Sequence, residues 1–79
     1  MNQAHFIEVR ERVDSLTERE RLIMQKLFEG LSNKEIAEQL GNSVRTVELR
    51  RASIYDKLKV RSAVELARLL DSIDWPSPK

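Results

Sequence analysis

The sequence predicts one small, all-α domain, and three observations carry that expectation. Apolar residues recur at three- and four-residue steps along most of the chain, and the valines and isoleucines follow that period, not a strand's alternation. Ser/Thr-x-x-Glu, the form of a capping box, appears at Thr17, Ser32 and Ser62. The two glycines, Gly30 and Gly41, each close a periodic stretch, where a left-handed residue ends a helix. With 79 residues and no cysteine, the chain buries only a modest core without covalent help. Capping at about 1 kcal/mol per site therefore matters.

Residues 1–16 form a leading amphipathic segment, with Phe6, Val9, Val13 and Leu16 at helical spacing among Glu8, Arg10, Glu11, Arg12 and Asp14. It is either a linker helix from an upstream domain or an extra helix packed on the core. Leu16 then stands where it can staple the first turn opened by Thr17-Glu-Arg-Glu20. That helix runs through Leu22, Ile23, Met24, Leu27 and Phe28 to Gly30, with Glu18 and Glu20 assigned to the cap and a solvated turn. Ser32-Asn-Lys-Glu35 opens a short helix over 33–40, with Ile36, Ala37 and Leu40 inward and Gly41 at its end.

Ser43 caps the helix over 44–58. At about 100° per residue its apolar positions Val44, Val47, Ile54 and Leu58 fall within roughly 80° of one another. Arg45, Glu48, Leu49, Ala52, Ser53 and Asp56 lie opposite, and Arg50 and Arg51 occupy the two shoulders. The third box opens a last helix with Val64, Leu66, Ala67, Leu69, Leu70 and Ile73, ended by Pro76. Its apolar residues lie on more than one side, so Val64 or Leu70 is left for a partner unless one chain buries them all. The expected core is Val44, Val47, Ile54 and Leu58 with Leu22, Ile23, Phe28, Ile36, Leu40 and Leu66.

The net charge of +1 hides a division. Residues 1–42 hold six basic against eight acidic side chains, 43–61 hold six against two, and 62–79 hold two against three. The positive field is thus concentrated on helix 44–58 and its exit. Two short helices meet at Gly41-Asn42-Ser43, where Gly41 permits a sharp reversal and Ala37 is small enough for close approach, a helix-turn-helix pattern. A helix with a buried seam, basic shoulders and a mixed outer face suits a DNA major groove, where base edges need donors and acceptors and phosphates need cations.

Those residues also carry a resemblance. Leu16-Thr-Glu-Arg-Glu20, Gly30-Leu-Ser-Asn-Lys-Glu-Ile-Ala37, Arg45-Thr-Val-Glu-Leu-Arg-Arg51, Ile54, Lys57-Leu-Lys-Val60 and Arg61-Ser-Ala-Val-Glu-Leu66 resemble the LuxR/FixJ-type (NarL-type) helix-turn-helix DNA-binding domain of bacterial response regulators. The likeness spans residues 16 to about 70, and Thr-Val-Glu-Leu brings it nearest the FixJ-like branch. It implies a four-helix domain serving as the output module of a cytoplasmic two-component transcription regulator. It further implies double-stranded DNA as partner, a homodimer on DNA through the last helix, an upstream receiver domain, and RNA polymerase as a further partner. No receiver fits in this length, so the chain is either an excised output domain or a small stand-alone regulator, and the former is the expectation. The expected layout is a leading helix over 1–15, the helix-turn-helix domain over 16–75 and a flexible tail over 76–79.

For base-edge contact the candidates are Glu48, Leu49 and Ala52, positions the family uses, with Arg45 and Arg51 beside them. Leu49 can meet a thymine methyl or stand as an isolated exposed leucine. Many family members carry a basic residue where Glu48 stands and His where Arg50 stands. Glu48 instead supplies an acceptor, either for a cytosine amino group or to hold Arg45 or the neighbours of Ala52 in place, and Arg50 reads as a phosphate clamp. The phosphate candidates are Asn33, Lys34, Ser43, Thr46, Arg50, Arg51 and Lys57. Lys34 stands in a first turn that the helix dipole makes unfavourable for a cation, which an approaching phosphate would explain. Ser43 and Thr46 lie at a helix start that attracts phosphate and also needs capping.

Other functions find less support. The only histidine, His5, lies near the terminus and reads as solvated; no Gly-rich phosphate loop or metal-ligand cluster appears, so no enzyme, cofactor or metal is expected. No apolar run is long enough to span a bilayer, and the N-terminus lacks a signal-peptide pattern. The competing readings are a protein-interaction helical module and a promoter reader similar to region 4 of a sigma factor.

Overall fold

The computed structural model describes residues 2–76. It contains α1 (Gln3–Asp14), α2 (Glu18–Phe28), α3 (Asn33–Leu40), α4 (Val44–Leu58) and α5 (Ala63–Asp71), with no strand among the described residues. Of the tail expected over 76–79, all but Pro76 lies outside them.

Local chemistry sets the helix ends. At Thr17 and Ser32 the boxes are reciprocal: each hydroxyl accepts from the N–H three residues on, and Glu20 and Glu35 accept from the cap N–H groups at 2.9 and 3.0 Å. The third box differs. Ser62 accepts from the Glu65 N–H, but the Glu65 carboxylate accepts from Arg61 N–H, one residue before the cap. After α2, Gly30 takes φ +90°, and the N–H groups of Gly30 and Leu31 turn back onto Leu27 and Lys26 carbonyls. Gly41, at φ +68°, ends α3 in the left-handed region. A lysine does the same after α4: Lys59 sits at φ 58°, with Val60 N–H donating to Tyr55 carbonyl at 3.0 Å.

Helix α4 is the hub, packing against α1, α2 and α3, while α5 rests on α2. Val47, Ile54 and Leu58 of α4 meet Ile23 and Met24 of α2, Ile36 and Ala37 of α3, and Leu66 and Leu70 of α5 in one buried cluster. Phe28 and Leu40 are partly buried at its margin. Two expected core residues lie outside. Leu22 is 42% exposed because it points away from the face of α2 that carries Ile23, Met24 and Leu27. Val44 is 41% exposed because it is the first residue of α4, at the corner where the helix begins. On α5 the ambiguity resolves with Leu70 buried and Val64 exposed.

The leading segment packs on the core. Val9, Val13 and Leu16 are buried, leaving Phe6 and Ile7 exposed. Arg12 donates to the Leu58 carbonyl at 3.4 Å, and Arg10 lies 5.2 Å from the Trp75 ring centroid. Trp75 Nε1 in turn donates to Gln25 Oε1 at 2.8 Å, fastening the segment that follows α5 to α2. His5 is exposed, as expected, with Nε2 2.7 Å from Ser72 Oγ.

Candidate nucleic-acid interface

Packing of the α4 seam against α3 and the other helices turns the opposite face of α4 outward. Arg45, Glu48, Leu49 and Ala52 are exposed there, Leu49 at 56%, and Arg50 is exposed on one shoulder. Arg45 Nη1 lies 3.4 Å from a Glu48 carboxylate oxygen, an exposed i,i+3 pair of little energetic weight. Both groups therefore remain available to a ligand.

The start of α4 is preorganised. Ser43 Oγ accepts from Thr46 N–H at 3.1 Å, and the two hydroxyl oxygens lie 2.9 Å apart. These side chains serve as caps and still stand at a helix N-terminus that favours anions. Asn33 and Lys34 open α3, with Lys34 exposed and Asn33 half-buried.

The structure joins Asn33 to Arg51 across the corner. Arg51 Nη1 donates to Asn33 Oδ1 at 3.2 Å, and Arg51 Nε donates to Tyr55 Oη at 2.9 Å. Asn33, Glu48, Arg51, Ala52 and Tyr55 surround an open depression of about 270 Å³. Three base-edge candidates and two phosphate candidates thus border one concavity, Arg51 counting as both. Tyr55 is absent from the sequence-based candidates, although its i,i+4 spacing from Arg51 was readable on a helix.

The other shoulder corrects the sequence reading. Glu20 is buried at 3% exposure and does not lie in a solvated turn. Its carboxylate closes the Thr17 cap and also accepts from Lys57 Nζ at 2.8 Å and Ser53 Oγ at 2.9 Å. The Lys57 ammonium, the Thr17 N–H and the Ser53 hydroxyl together hold the acid well below the usual 4.5, at about 2, against the opposing effect of burial. Ser53 is therefore turned towards α2, not outward. Lys57, a phosphate candidate in the sequence, is engaged in neutralising Glu20. On α3, the Ser32 cap holds the exposed Glu35 carboxyl below its ordinary value. No group of three or more His, Cys, Asp or Glu side chains is placed to hold a metal among the described residues.

A short helix, a glycine-gated corner and a second helix with an open polar face define a helix-turn-helix protein. The model for bacterial regulatory proteins of the luxR family matches residues 14–70, and the chain belongs to that family. It is 51% identical over 57 residues to the transcriptional regulatory protein UhpA of Escherichia coli, covering 72% of this chain and 29% of UhpA. To the transcriptional regulatory protein FixJ of Azorhizobium caulinodans it is 47% identical over 62 residues, covering 78% of this chain and 29% of FixJ. The chain therefore spans less than a third of these relatives. The crystal structure of full-length FixJ from B. japonicum superposes with a TM-score of 0.84 at 39% identity, over 94% of this chain and 36% of that one.

Proposed function

We propose that this chain is the sequence-specific DNA-binding unit of a transcription regulator and lays α4 in the major groove. The observation that carries this reading is the exposed face formed by Arg45, Glu48, Leu49 and Ala52 on the second helix of the corner. Its polar and apolar groups suit base edges, while Asn33, Lys34, Ser43, Thr46, Arg50 and Arg51 flank it as phosphate ligands. Lys57 stands outside this set, because its ammonium neutralises Glu20. The names of UhpA and FixJ as transcriptional regulatory proteins support the assignment.

The wider role follows from the same resemblance. The chain acts in the cytoplasm as the output part of a two-component response regulator, with residues 16–75 as the DNA-binding domain, α1 leading into it, and no catalytic activity of its own. A receiver domain upstream controls it, and RNA polymerase is a further partner. Exposed Val64 on α5 favours a homodimer on DNA through that helix, since Leu66 and Leu70 already complete the core.

Fluorescence anisotropy with a pool of short duplexes, titrated with salt, tests the reading. Affinity should fall steeply with salt, and Arg50→Ala with Arg51→Ala should reduce the log–log slope by about 2. Unchanged affinity of that double variant at low salt sinks the proposal. So does failure of an artificially dimerised chain to bind any duplex, which would favour a protein-interaction module.

A further inference from the structure

Arg51 is held in place before any ligand arrives. Tyr55 Oη accepts from its Nε and Asn33 Oδ1 from its Nη1, while the guanidinium carbon lies 5.1 Å from the Tyr55 ring centroid. A guanidinium has five N–H donors, so these two bonds leave three, one on Nη1 and two on Nη2. Neither partner is a carboxylate, and among the described residues no carboxylate forms an ion pair with Arg51. The positive charge of Arg51 is therefore fixed in position without being neutralised.

We infer that Tyr55 is a positioning residue for DNA-backbone recognition: with Asn33 it holds Arg51 so that its remaining Nη donors meet a single phosphate beside the start of α3. The inference rests on the DNA-binding reading above. Three features favour a phosphate over a base. Arg51 is half-buried on the α3 side of α4, whereas Glu48, Leu49 and Ala52 are exposed. Its anchor Asn33 is the first residue of α3, where backbone N–H groups attract phosphate oxygen. The exposed Lys34 stands next to that anchor. An unrestrained arginine loses rotamer freedom when it binds, and the clamp has removed that freedom beforehand.

Tyr55→Phe tests the inference cleanly, because it keeps the ring under the guanidinium and removes only the hydroxyl acceptor. In the free protein, NMR should show the Arg51 Nε proton protected from exchange in the wild type and fast-exchanging in Tyr55→Phe. In salt-titrated anisotropy, Tyr55→Phe should weaken binding about fivefold on specific and random duplexes alike, the scale of one lost hydrogen bond. Arg51→Ala should lower the salt slope by about 1. In the Arg51→Ala background, Tyr55→Phe should have no further effect, a coupling that a purely structural tyrosine would not show.

Wild-type affinity of Tyr55→Phe, or equal weakening with and without Arg51, overturns the positioning role while leaving the DNA-binding reading intact. Loss of discrimination between duplexes in Arg51→Ala, with an unchanged slope, moves Arg51 to a base edge and overturns the phosphate assignment. Absence of binding by the wild type at low salt overturns both readings, even if the NMR signature of the clamp is present.

Discussion

Towards the body of the domain, α4 presents Val47, Ile54 and Leu58, none with exposed surface, and shoulders tied to other helices. Ser53 and Lys57 hold Glu20 of α2, and Arg51 holds Asn33 of α3. Towards solvent the same helix presents Arg45, Glu48, Leu49, Arg50 and Ala52, with the exposed Arg45–Glu48 pair between them. The contrast separates orientation from reading. Contacts on the inner face and shoulders fix the pitch and rotation of α4. The outer face contributes little to folding, so its residue types are free to be set by what they bind. Substitutions on the two sides should therefore move different observables.

The largest effect belongs to the seam. Val47→Asp places a carboxylate where the valine has no exposed surface, inside the buried apolar cluster. Its cost of several kcal/mol is comparable with the roughly 5 kcal/mol stability of a small domain. Circular dichroism should show loss of the helical signal and of any cooperative melt. A native-like melt would show that the inner face does not hold the fold.

Next comes the shoulder. Glu20→Gln removes the charge that satisfies Lys57, Ser53 and the Thr17 cap, at a cost of about 2 kcal/mol in urea denaturation. Because the carboxyl is lowered from 4.5 to about 2 in the fold, its contribution is complete above the ordinary carboxylate range. It is lost as pH falls from 4.5 towards 2. In Glu20→Gln this part of the acid limb should flatten, leaving what Glu35 and other carboxylates contribute. An unaltered limb would place the stabilisation elsewhere.

A smaller effect is expected at the corner. Gly41→Ala forces a Cβ into φ +68° but meets nothing within 4 Å, so only backbone strain remains, about 1 kcal/mol. Thermal denaturation reads it directly. The smallest stability change belongs to the outer face: Arg45→Ala and Leu49→Ala should each stay within about 0.5 kcal/mol while weakening binding to DNA. A melt lowered by several degrees would break the separation between the two faces.

How far the site could be read depended on the range of each interaction. Thr17, Ser32 and Ser43 announced their helices because a cap and its N–H lie within one turn of each other. The glycine rule found the ends of α2 and α3 but missed α4, where Lys59 occupies the left-handed region without a glycine to mark it. Periodicity placed Val47, Ile54 and Leu58 inside correctly. It placed Leu22 and Val44 there as well, because hydrophobicity alone does not say where a neighbouring helix stops covering. The exposed candidates Arg45, Glu48 and Leu49 were legible as the face opposite a strong seam. The ties of Arg51 to Asn33 and of Lys57 to Glu20 were not.

The chain alone determined an all-α domain, four of its five helix starts, the α3–α4 corner and the concentration of positive charge on α4. Each is set by residues a few positions apart, through capping bonds, helical period or simple count. Tertiary structure decided which acid is buried and which cations are held. Arg51 meets Asn33 across 18 residues, Ser53 meets Glu20 across 33, Lys57 meets Glu20 across 37, and Trp75 meets Gln25 across 50. Such pairs exist only once helices have packed, because burial and mutual orientation, not spacing along the chain, bring their atoms within bonding distance.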